Sequence, residues 1–459
     1  MKKIKALFSV LLCLMMICGY SVNYVSADDT EIVNETSSDI TTPEEVNNEK
    51  EEENVKTENT ETTNSEEETP KTETASTKEV PSAKAAGVTV NTDSATVIDL
   101  SQVEGDIYIA SDGLHTGGTV TNTNFATSTY ADGSLVADVN SHGYEFTGST
   151  TTSRILVEKE ITTNITLNNA TISLSGYGIS THCIETSYAD VTINLVGTNH
   201  LNVESQTWDS SSQRSGSIWK TGKAGTGKLT ICGSGFLDAS GPSNNYHTGG
   251  IIGITLYDVY IKDCTISASA SYHQPAIGAT CWGGNGAGNI NISNAHVTAV
   301  GGYCCAAIGG GWGAPVDGIY IDNGSQVIAT AGQNGSAIGS SYGYYGNGNV
   351  SNIVITGGNT KVTAYGSKVG NYPGIGTRSS STVTNVTATP ETNYQGYVKY
   401  GTSDTDYSYS TANPKTPFPT SEEFGTYLQN EAADGNPVYY TQVYFGPYKD
   451  NNDIDENAE

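Results

Sequence analysis

The sequence predicts an all-β fold, a right-handed single-stranded parallel β-helix of about eight coils. First, a similar sequence motif recurs at intervals of roughly 25 to 38 residues between about Ile165 and Ala388. Second, apolar residues within each phrase alternate every second position, which is the period of a β-strand. Third, Gly, Asn and Ser fill the intervals, where turns need positive φ angles or side-chain hydrogen bonds.

Each clear copy of the phrase starts with an Ala-Ile-Gly step, and two short apolar alternations follow. The steps are Ala276-Ile277-Gly278, Ala307-Ile308-Gly309-Gly310 and Ala337-Ile338-Gly339. The alternations are Ile290–Ile292 with Val297–Ala299, Ile319–Ile321 with Val327–Ala329, and Ile353–Ile355 with Val362–Ala364. We therefore expect three short strands per coil and coils about 4.8 Å apart, which gives a rod about 40 Å long.

The N-terminus has the pattern of a secretory signal peptide over residues 1–27. Lys2, Lys3 and Lys5 precede an apolar run, and Val25-Ser26-Ala27 is a small-residue cleavage site. The apolar run is too short for a spanning helix, and no later run of about 20 apolar residues exists. The sequence thus predicts a secreted or loosely cell-surface protein without a transmembrane segment.

Residues 28–86 are rich in Glu, Thr, Asn and Ser, with 18 acidic residues against 5 Lys. Such a segment buries too little apolar surface to offset its chain entropy, so we expect a disordered acidic stalk. The whole chain has a formal net charge of −28. Because nucleic-acid binding needs clustered basic residues, this charge argues against a nucleic-acid partner.

The remaining chain divides into a β-helix over residues 87–390 and a Tyr-rich segment over residues 391–459. Within the β-helix, residues 87–159 form an irregular β N-terminal cap and residues 160–390 hold the repeats. A solenoid needs such a cap, since an open first coil would leave unpaired backbone groups. The C-terminal segment reads as a small β cap with an acidic tail, or as an adaptor to further surface-protein modules.

Several phrases resemble those of known bacterial β-helical proteins. Two segments resemble repeats of β-helical surface proteins of Gram-positive anaerobes, namely the motif Ala307-Ile308-Gly309-Gly310-Gly311 and residues 288–299. Residues 144–148, 164–168 and 191–199 look like carbohydrate-binding β-helix domains of the pectin-binding type. The resemblance implies a secreted glycan-binding or adhesive domain and an association with Ca²⁺. No calcium-ligand set maps onto particular residues, and no other cofactor is expected.

Aromatic residues flank the Ile-Gly steps and are the candidate ligand-binding residues. They are Tyr246, His247, Tyr272, His273, Trp282, Tyr303, Trp312, Tyr342, Tyr344 and Tyr372. Since stacked coils repeat the same position, these side chains should form columns on one rim of the rod. Aromatic faces stack on sugar rings, so the columns could bind a polysaccharide along the rod. The alternative is that the rings cover glycine-rich turns and pack on one another.

Catalysis is the less favoured hypothesis, although parallel β-helices host polysaccharide lyases and glycoside hydrolases. The position before the first strand of each pair is Asn164, Asp190, Lys228, Asp258, Asn289, Gly318 and Asn352. This column reads as a neutralised ladder of amides and charges rather than as converging catalytic carboxylates. We therefore expect a non-catalytic polysaccharide-binding protein. A spacer or adhesin scaffold without sugar binding and a β-helix lyase or hydrolase remain as alternatives.

Six cysteines follow the predicted signal peptide, an even number for an oxidising compartment. Cys232 and Cys264 follow matching strands on consecutive coils, which makes them the candidate disulfide pair. Their register is about two residues out of step. No Cys spacing typical of a zinc site occurs.

Overall fold

The computed structural model describes residues 86–124, 127–177, 181–205, 215–241, 248–280, 286–341, 348–378, 380–412, 424–433 and 438–447. The predicted signal peptide, nearly all of the predicted stalk and the acidic tail lie outside these residues. The regular secondary structure of the described chain is almost entirely β-strand, and its strands form three long sheets that we call sheets A, B and C.

The strands of sheet A, in spatial order, are β1 (Val88–Thr89), β2 (Thr96–Asp99), β7 (Tyr144–Thr147), β10 (Thr162–Asn168), β13 (Asp190–Val196), β16 (Leu229–Cys232), β19 (Leu256–Lys262), β22 (Ala287–Ser293), β25 (Val316–Asp322), β28 (Val350–Gly357) and β31 (Val383–Pro390). From β2 onward, neighbouring strands of this sheet are parallel. The first pair, β1 with β2, is antiparallel.

The strands of sheet B are β8 (Ser149–Thr150), β11 (Thr171–Tyr177), β14 (Thr198–Ser205), β17 (Phe236–Ser240), β20 (Thr265–Ser269), β23 (His296–Val300), β26 (Gln326–Thr330), β29 (Lys361–Tyr365), β34 (Tyr440–Pro447), β32 (Tyr394–Gly401) and β33 (Tyr407–Ala412). The strands up to β29 are parallel. The last three extend the sheet as an antiparallel end.

The parallel strands of sheet C are β3 (Asp106–Ala110), β9 (Ile155–Val157), β12 (His182–Glu185), β15 (Ser215–Trp219), β18 (Thr248–Gly253), β21 (Ile277–Ala279), β24 (Ile308–Gly310), β27 (Ile338–Gly339) and β30 (Ile375–Gly376). Three antiparallel strands extend its first edge, namely β4 (Gly113–Asn124), β5 (Thr127–Ala131) and β6 (Ser134–Asp138). We call these three strands the N-terminal lobe.

The chain visits the three sheets in the order A, B, C, and each visit makes one coil. The strands from β7 to β30 form eight successive coils of this kind, and a partial coil of β2 and β3 precedes them. The predicted stack of parallel coils is thus confirmed. Strands within the predicted N-terminal cap already belong to the stack, because β7 pairs in parallel with β10 and β9 pairs in parallel with β12.

The core consists of columns of apolar side chains that repeat from coil to coil. In sheet C the inward position is isoleucine on every coil: Ile107, Ile155, Ile184, Ile218, Ile251, Ile277, Ile308, Ile338 and Ile375. Each of them is at most 1% exposed. Burying one such side chain stabilises a fold by about 1.5–3 kcal/mol, so the column is a large part of what holds the coils together.

Turns between sheets A and B use residues that tolerate the left-handed backbone conformation. Asp263, Asn294 and Asn323 follow sheet A strands and have φ angles of 54°, 48° and 52°. The Asn294 Nδ2 donates to Asp263 Oδ1 over 2.7 Å, which links the turns of two coils. Short polar side chains adopt this conformation more readily than apolar ones, which explains the residues between the repeats.

The C-terminal end of the stack is closed by a helix that the sequence did not predict. Helix α1 (Phe424–Ala433) contacts β30 and β31. Leu428 of this helix is fully buried, and Gln429 Nε2 donates to the carbonyl oxygens of Arg378 and Ser381 over 2.7 and 2.9 Å. Together with β34, the helix covers edges that would otherwise invite association.

Candidate functional site

Four of the predicted rim residues come together beside sheet C. The rings of Tyr272 and Tyr303 stack with centroids 5.5 Å apart and planes 12° apart. His273 lies 4.0 Å from the Tyr272 ring and 4.9 Å from the Trp312 ring, between centroids. The stacked faces of Tyr272 and Tyr303 therefore cover each other. This arrangement favours mutual packing over an open sugar platform for these four residues, which we call the rim cluster.

The other predicted rim residues do not extend this cluster in the described structure. Tyr372 is fully buried, so its predicted place on an exposed track is wrong. It follows Asn371, which has a left-handed backbone, and the Tyr372 side chain is enclosed near Gly370. Tyr246, His247, Trp282, Tyr342 and Tyr344 lie outside the described residues.

The predicted disulfide between Cys232 and Cys264 is not formed in this structure, where both residues are free thiols. The register explains this, since Ile231 pairs with Ile261 and Cys264 therefore lies two positions past the partner of Cys232. The Cys264 Sγ lies 3.7 Å from the carbonyl oxygen of Ile231 instead. Burial, and next electrostatic repulsion from the nearby Cys232 sulfur, raise the pKa of Cys264 to about 12.

The predicted ladder of polar residues before the sheet A strands is present in part. Asp258, Asn289, Gly318, Asn352 and Asn385 all have left-handed φ angles. Asn289 Nδ2 donates to Asp258 Oδ1 over 2.9 Å, and Asn385 Nδ2 donates to Asn352 Oδ1 over 2.6 Å. The first predicted member, Asn164, is wrong, because Thr162 is the partner of Asp190. These hydrogen bonds link neighbouring coils, so the column is a structural ladder along sheet A.

The sequence did not predict a concave site near the N-terminal end of the stack, which we call the N-terminal cleft. It has a volume of about 410 Å³. Its lining includes Tyr108, Ser128, Tyr130, Leu156, Glu158, Lys159, Glu185, Ser187 and Tyr188. Tyrosine rings beside a few polar groups in a concave site are typical of small-ligand and sugar sites.

Sheet C positions the floor of this cleft. Tyr108, Leu156 and Glu185 are successive partners on β3, β9 and β12, so their side chains share the outer face of the sheet. On later coils the same outer column continues as Trp219 and Ile252 and then becomes glycine from Gly278 onward. Side chains of this outer column that are large enough to contact a ligand therefore occur only on the first coils.

Glu185 is a buried carboxyl at the base of the cleft, only 4% exposed. Its two carboxyl oxygens accept hydrogen bonds from the backbone N–H and the hydroxyl of Ser128 in the N-terminal lobe. Burial raises the pKa of Glu185, although hydrogen bonds from Ser128 and Ser187 oppose the shift. The contact ties the lobe to the stack.

Two tyrosines stack on each other in this cleft, Tyr108 from the floor and Tyr130 from the wall that the N-terminal lobe forms. The rings of Tyr108 and Tyr130 stack with centroids 4.9 Å apart and planes 23° apart. Burial, and next the charge of Glu158, raise the pKa of Tyr108 to about 12. Glu158 itself accepts a hydrogen bond from the Ser111 N–H over 2.6 Å. Burial also raises the pKa of Tyr130, whose hydroxyl donates to the carbonyl oxygen of Asp106 over 3.3 Å, so both hydroxyls stay protonated near neutral pH.

A buried ion pair fixes the lobe that carries Tyr130. Arg154 Nη2 lies 2.6 Å from Asp106 Oδ2 and also donates to the carbonyl oxygen of Val120 on β4. The same Asp106 oxygen accepts the Val120 N–H over 2.7 Å. Because breaking a buried pair by removing one partner is strongly destabilising, this clamp keeps the cleft wall in place.

A second cleft adjoins the first and shares Tyr188 with it. This second cleft has a volume of about 330 Å³ and is lined by Glu160, Ile161, Tyr188, Asp190, Gly225, Thr226 and Gly227. Tyr188 has a φ angle of 60°. A bulky residue in the left-handed region is an outlier, and such strain tends to collect at functional sites.

The loop that borders the second cleft, residues 222–228, has the glycine and lysine spacing of a phosphate-binding loop. Its context differs, because it leads into strand β16 rather than a helix. The Gly225 N–H donates to Asp258 Oδ2 over 2.6 Å, and the Lys228 N–H donates to Asp190 Oδ1 over 2.8 Å. Carboxylates of the chain thus occupy amides that a phosphate would need.

Lys220 lies beneath this loop and is fully buried. Its Nζ has no hydrogen-bond partner among the described residues. Burial lowers the pKa of Lys220 to about 8, although the charges of Asp258 and Asp190 oppose the shift. A second buried base, His182, stacks on Trp219 with ring centroids 4.3 Å apart, and burial lowers its pKa to about 3.

The cleft residues were missed because they depend on chain segments far apart in sequence. One sequence signal could still have indicated these residues, namely their position within the coil repeat. Glu160 and Tyr188 both stand two residues before paired positions of sheet A, Thr162 and Asp190. A conspicuous side chain at one step of successive coils marks a shared surface, as the rim aromatics did.

Within the described ranges, no group of three or more His, Cys, Asp or Glu side chains is placed to hold a metal ion. Helices in the same ranges are too short or too polar to cross a membrane.

Comparison of the chain with protein-family models, with curated proteins and with solved structures gives no match.

Proposed function

We propose that this protein binds polysaccharide without cleaving it and that the N-terminal cleft is the binding site. The observation that carries the proposal is the lining of this cleft by three tyrosines beside two carboxyl groups. Aromatic faces pack against the apolar faces of sugar rings, and carboxyl and hydroxyl groups fix the sugar hydroxyls. The signal-like N-terminus supports a location outside the cell.

The hydrogen bonds of the two glutamates favour binding over catalysis. Both carboxyl oxygens of Glu185 already accept hydrogen bonds from Ser128. One oxygen of Glu158 accepts the Ser111 N–H. Glycoside hydrolysis needs two carboxyl groups free to reach opposite sides of the scissile bond. Here Glu185 holds the N-terminal lobe against the stack and Glu158 holds the turn that leads into the lobe, which suits a rigid binding site.

A scaffold or adhesin role without sugar binding is the second candidate. The stacking of Tyr272 on Tyr303 favours this role, because each ring covers one face of the other. Under this alternative, the rim cluster stabilises glycine-rich turns and the rod presents other parts of the chain. The two candidates make different predictions for variants of the cleft and of the rim.

Affinity electrophoresis of the full chain in gels containing soluble polysaccharides tests the proposal. We expect at least one polysaccharide to retard the wild type and Tyr130→Ala to lose most of the retardation. Tyr303→Ala is the matched control, because Tyr303 is 41% exposed and belongs to the rim cluster. It should migrate like the wild type. Loss of retardation in the control alone would move the site to the rim.

Circular dichroism would establish that each variant keeps the β-rich fold. A wild-type chain that no polysaccharide retards would contradict glycan binding and favour the scaffold role.

A further inference from the structure

We propose that the two clefts form one groove for a non-anionic glycan, with Tyr188 as its central stacking residue. This inference rests on the proposed function and specifies the location and the charge class of the ligand. Tyr188 lines both clefts, which have volumes of about 410 and 330 Å³. Among the described residues, Tyr188 is the only aromatic residue that lines both clefts.

The groove crosses several coils. From Tyr108 on β3, its lining passes to Glu158 after β9, to Tyr188 after β12 and then to Thr226 after β15. Four successive coils at about 4.8 Å each place its ends about 14 Å apart. A glycan chain advances by about the 4.8 Å spacing of one coil for each sugar residue. The groove is therefore long enough for a short run of sugars, with Tyr188 near its middle.

The backbone of Tyr188 carries strain that its surroundings maintain. Its φ angle is 60°, a conformation that glycine or asparagine adopts at lower energy. The Tyr188 N–H donates to the Thr221 carbonyl over 3.1 Å, and its own carbonyl accepts the Glu160 N–H over 2.9 Å. These bonds hold the turn with any residue in place. A large ring at this position is thus unnecessary for the turn, which points to a role for the side chain.

The charges around the groove select against anionic sugars. The described lining contains four carboxyl groups, on Glu158, Glu160, Glu185 and Asp190, and one ammonium group, on Lys159. Lys220 is fully buried below the loop. Between residues 87 and 447 the sequence has 26 Asp and Glu against 12 Lys and Arg. A polyuronate would meet like charge along its length, whereas neutral sugars offer hydroxyl donors to the carboxylates.

The ligand class is tested with the full chain in affinity gels containing neutral β-glucan, xylan, galactomannan or polygalacturonate. We expect retardation by at least one neutral polysaccharide and none by polygalacturonate with a calcium chelator present. Retardation by polygalacturonate alone would overturn the charge inference while leaving glycan binding intact. Retardation by none of the four would overturn both.

The role of Tyr188 is tested on the polysaccharide that retards the wild type. Tyr188→Asn should weaken binding at least tenfold while leaving the melting temperature unchanged or higher, because asparagine relieves the backbone strain. A merely structural tyrosine would show the opposite, with binding kept and the melting temperature lowered. Tyr188→Phe keeps the ring and should bind within a few fold of the wild type.

A second variant guards against misfolding of the first. Thr226 is an exposed residue of the second cleft, so Thr226→Trp should block that cleft without touching the core. We expect it to weaken binding, whereas Thr226→Ser should not. Full binding by Thr226→Trp would show that the second cleft is not part of the site.

Discussion

The glycines of sheet C show how one residue type follows from the stacking of coils. Gly309 and Gly339 occupy the outer position of the Ala-Ile-Gly step and have φ angles of 128° and 135°. A Cβ added to Gly309 would overlap the carbonyl oxygen of Gly339 on the next coil. The glycine therefore serves both the backbone conformation and the close approach of coils.

Gly309→Ala should lower the free energy of unfolding by about 3 kcal/mol or more, since strain and overlap add. Gly376→Ala is the matched control, because its φ is 113° but the nearest atom to an added Cβ is 3.9 Å away. It should cost about 1–2 kcal/mol. Chemical denaturation of both variants checks the difference. Equal losses would mean that the overlap with the next coil is unimportant.

Lys220 supplies a second prediction at the residue scale. Its pKa is about 8 in the folded chain against an ordinary value of 10.5. Between these two values the unfolded chain binds more protons, so the stability of the wild type should rise with pH there. Lys220→Met removes the buried charge and should stabilise the protein by about 1–3 kcal/mol at pH 7.

Denaturant titrations from pH 7 to pH 10.5 would measure this effect. The advantage of Lys220→Met should shrink as pH rises and vanish near pH 10.5. A constant difference across the range would contradict the burial of an unpaired amine.

Strands and turns were the elements most readable from sequence. Alternation in Ile319–Ile321 and Val327–Ala329 predicted neighbouring strands, because a period of two reports directly on which face is buried. Helix α1 was not predicted, since its packing depends on β30 and β31 rather than on a strong local pattern. Tyr372 was placed wrongly, because ring position in a coil does not fix whether the ring turns inward.

The clefts belong to the elements that sequence reasoning did not join. Tyr130 reaches sheet C only through the antiparallel pairing of β4 with β3 and of β5 with β4. Nothing local at Glu185 indicates that Ser128, 57 residues earlier, covers it. Contacts between residues so far apart in sequence depend on the path of the N-terminal lobe. The repeat period of the sequence does not predict that path.

The polar ladder of sheet A yields a prediction for an element. Asn352 has a φ angle of 57°, and its amide donates to Asp317 Oδ1 over 2.6 Å and accepts from Asn385. Asn352→Ala loses both bonds and keeps the strain, so it should cost about 1–3 kcal/mol. Asn352→Gly loses the bonds but not the conformational fit and should cost less. Thermal unfolding would check this order, and a more stable alanine variant would contradict it.

At the scale of the whole molecule, the two ends of the stack differ in chemistry. Among the described residues, the buried charged side chains Asp106, Arg154, Glu185 and Lys220 and the buried His182 all lie on early coils. The later coils of sheet C carry Ile-Gly steps at the same positions. The later coils thus serve stability through repetition, while the early coils depart from the repeat where the clefts lie. Departures of this kind are expected at functional sites.

All of these features depend on coils that stack in one register. Ser267 and Thr298 are direct partners on β20 and β23, and both face outward on sheet B. A shift of one residue would turn every outward side chain inward. Engineered cysteines at partner positions can therefore report the register, since a disulfide needs Cα atoms within about 7 Å.

The most direct measurement is peptide mapping by mass spectrometry after mild oxidation of two double variants. Ser267→Cys with Thr298→Cys should form the engineered disulfide. Ser267→Cys with Val300→Cys should not, because a shift of two residues places the Cα atoms about 8 Å apart. Linkage of the shifted pair, with the partner pair left reduced, would contradict the stacking on which the groove at Tyr188 depends.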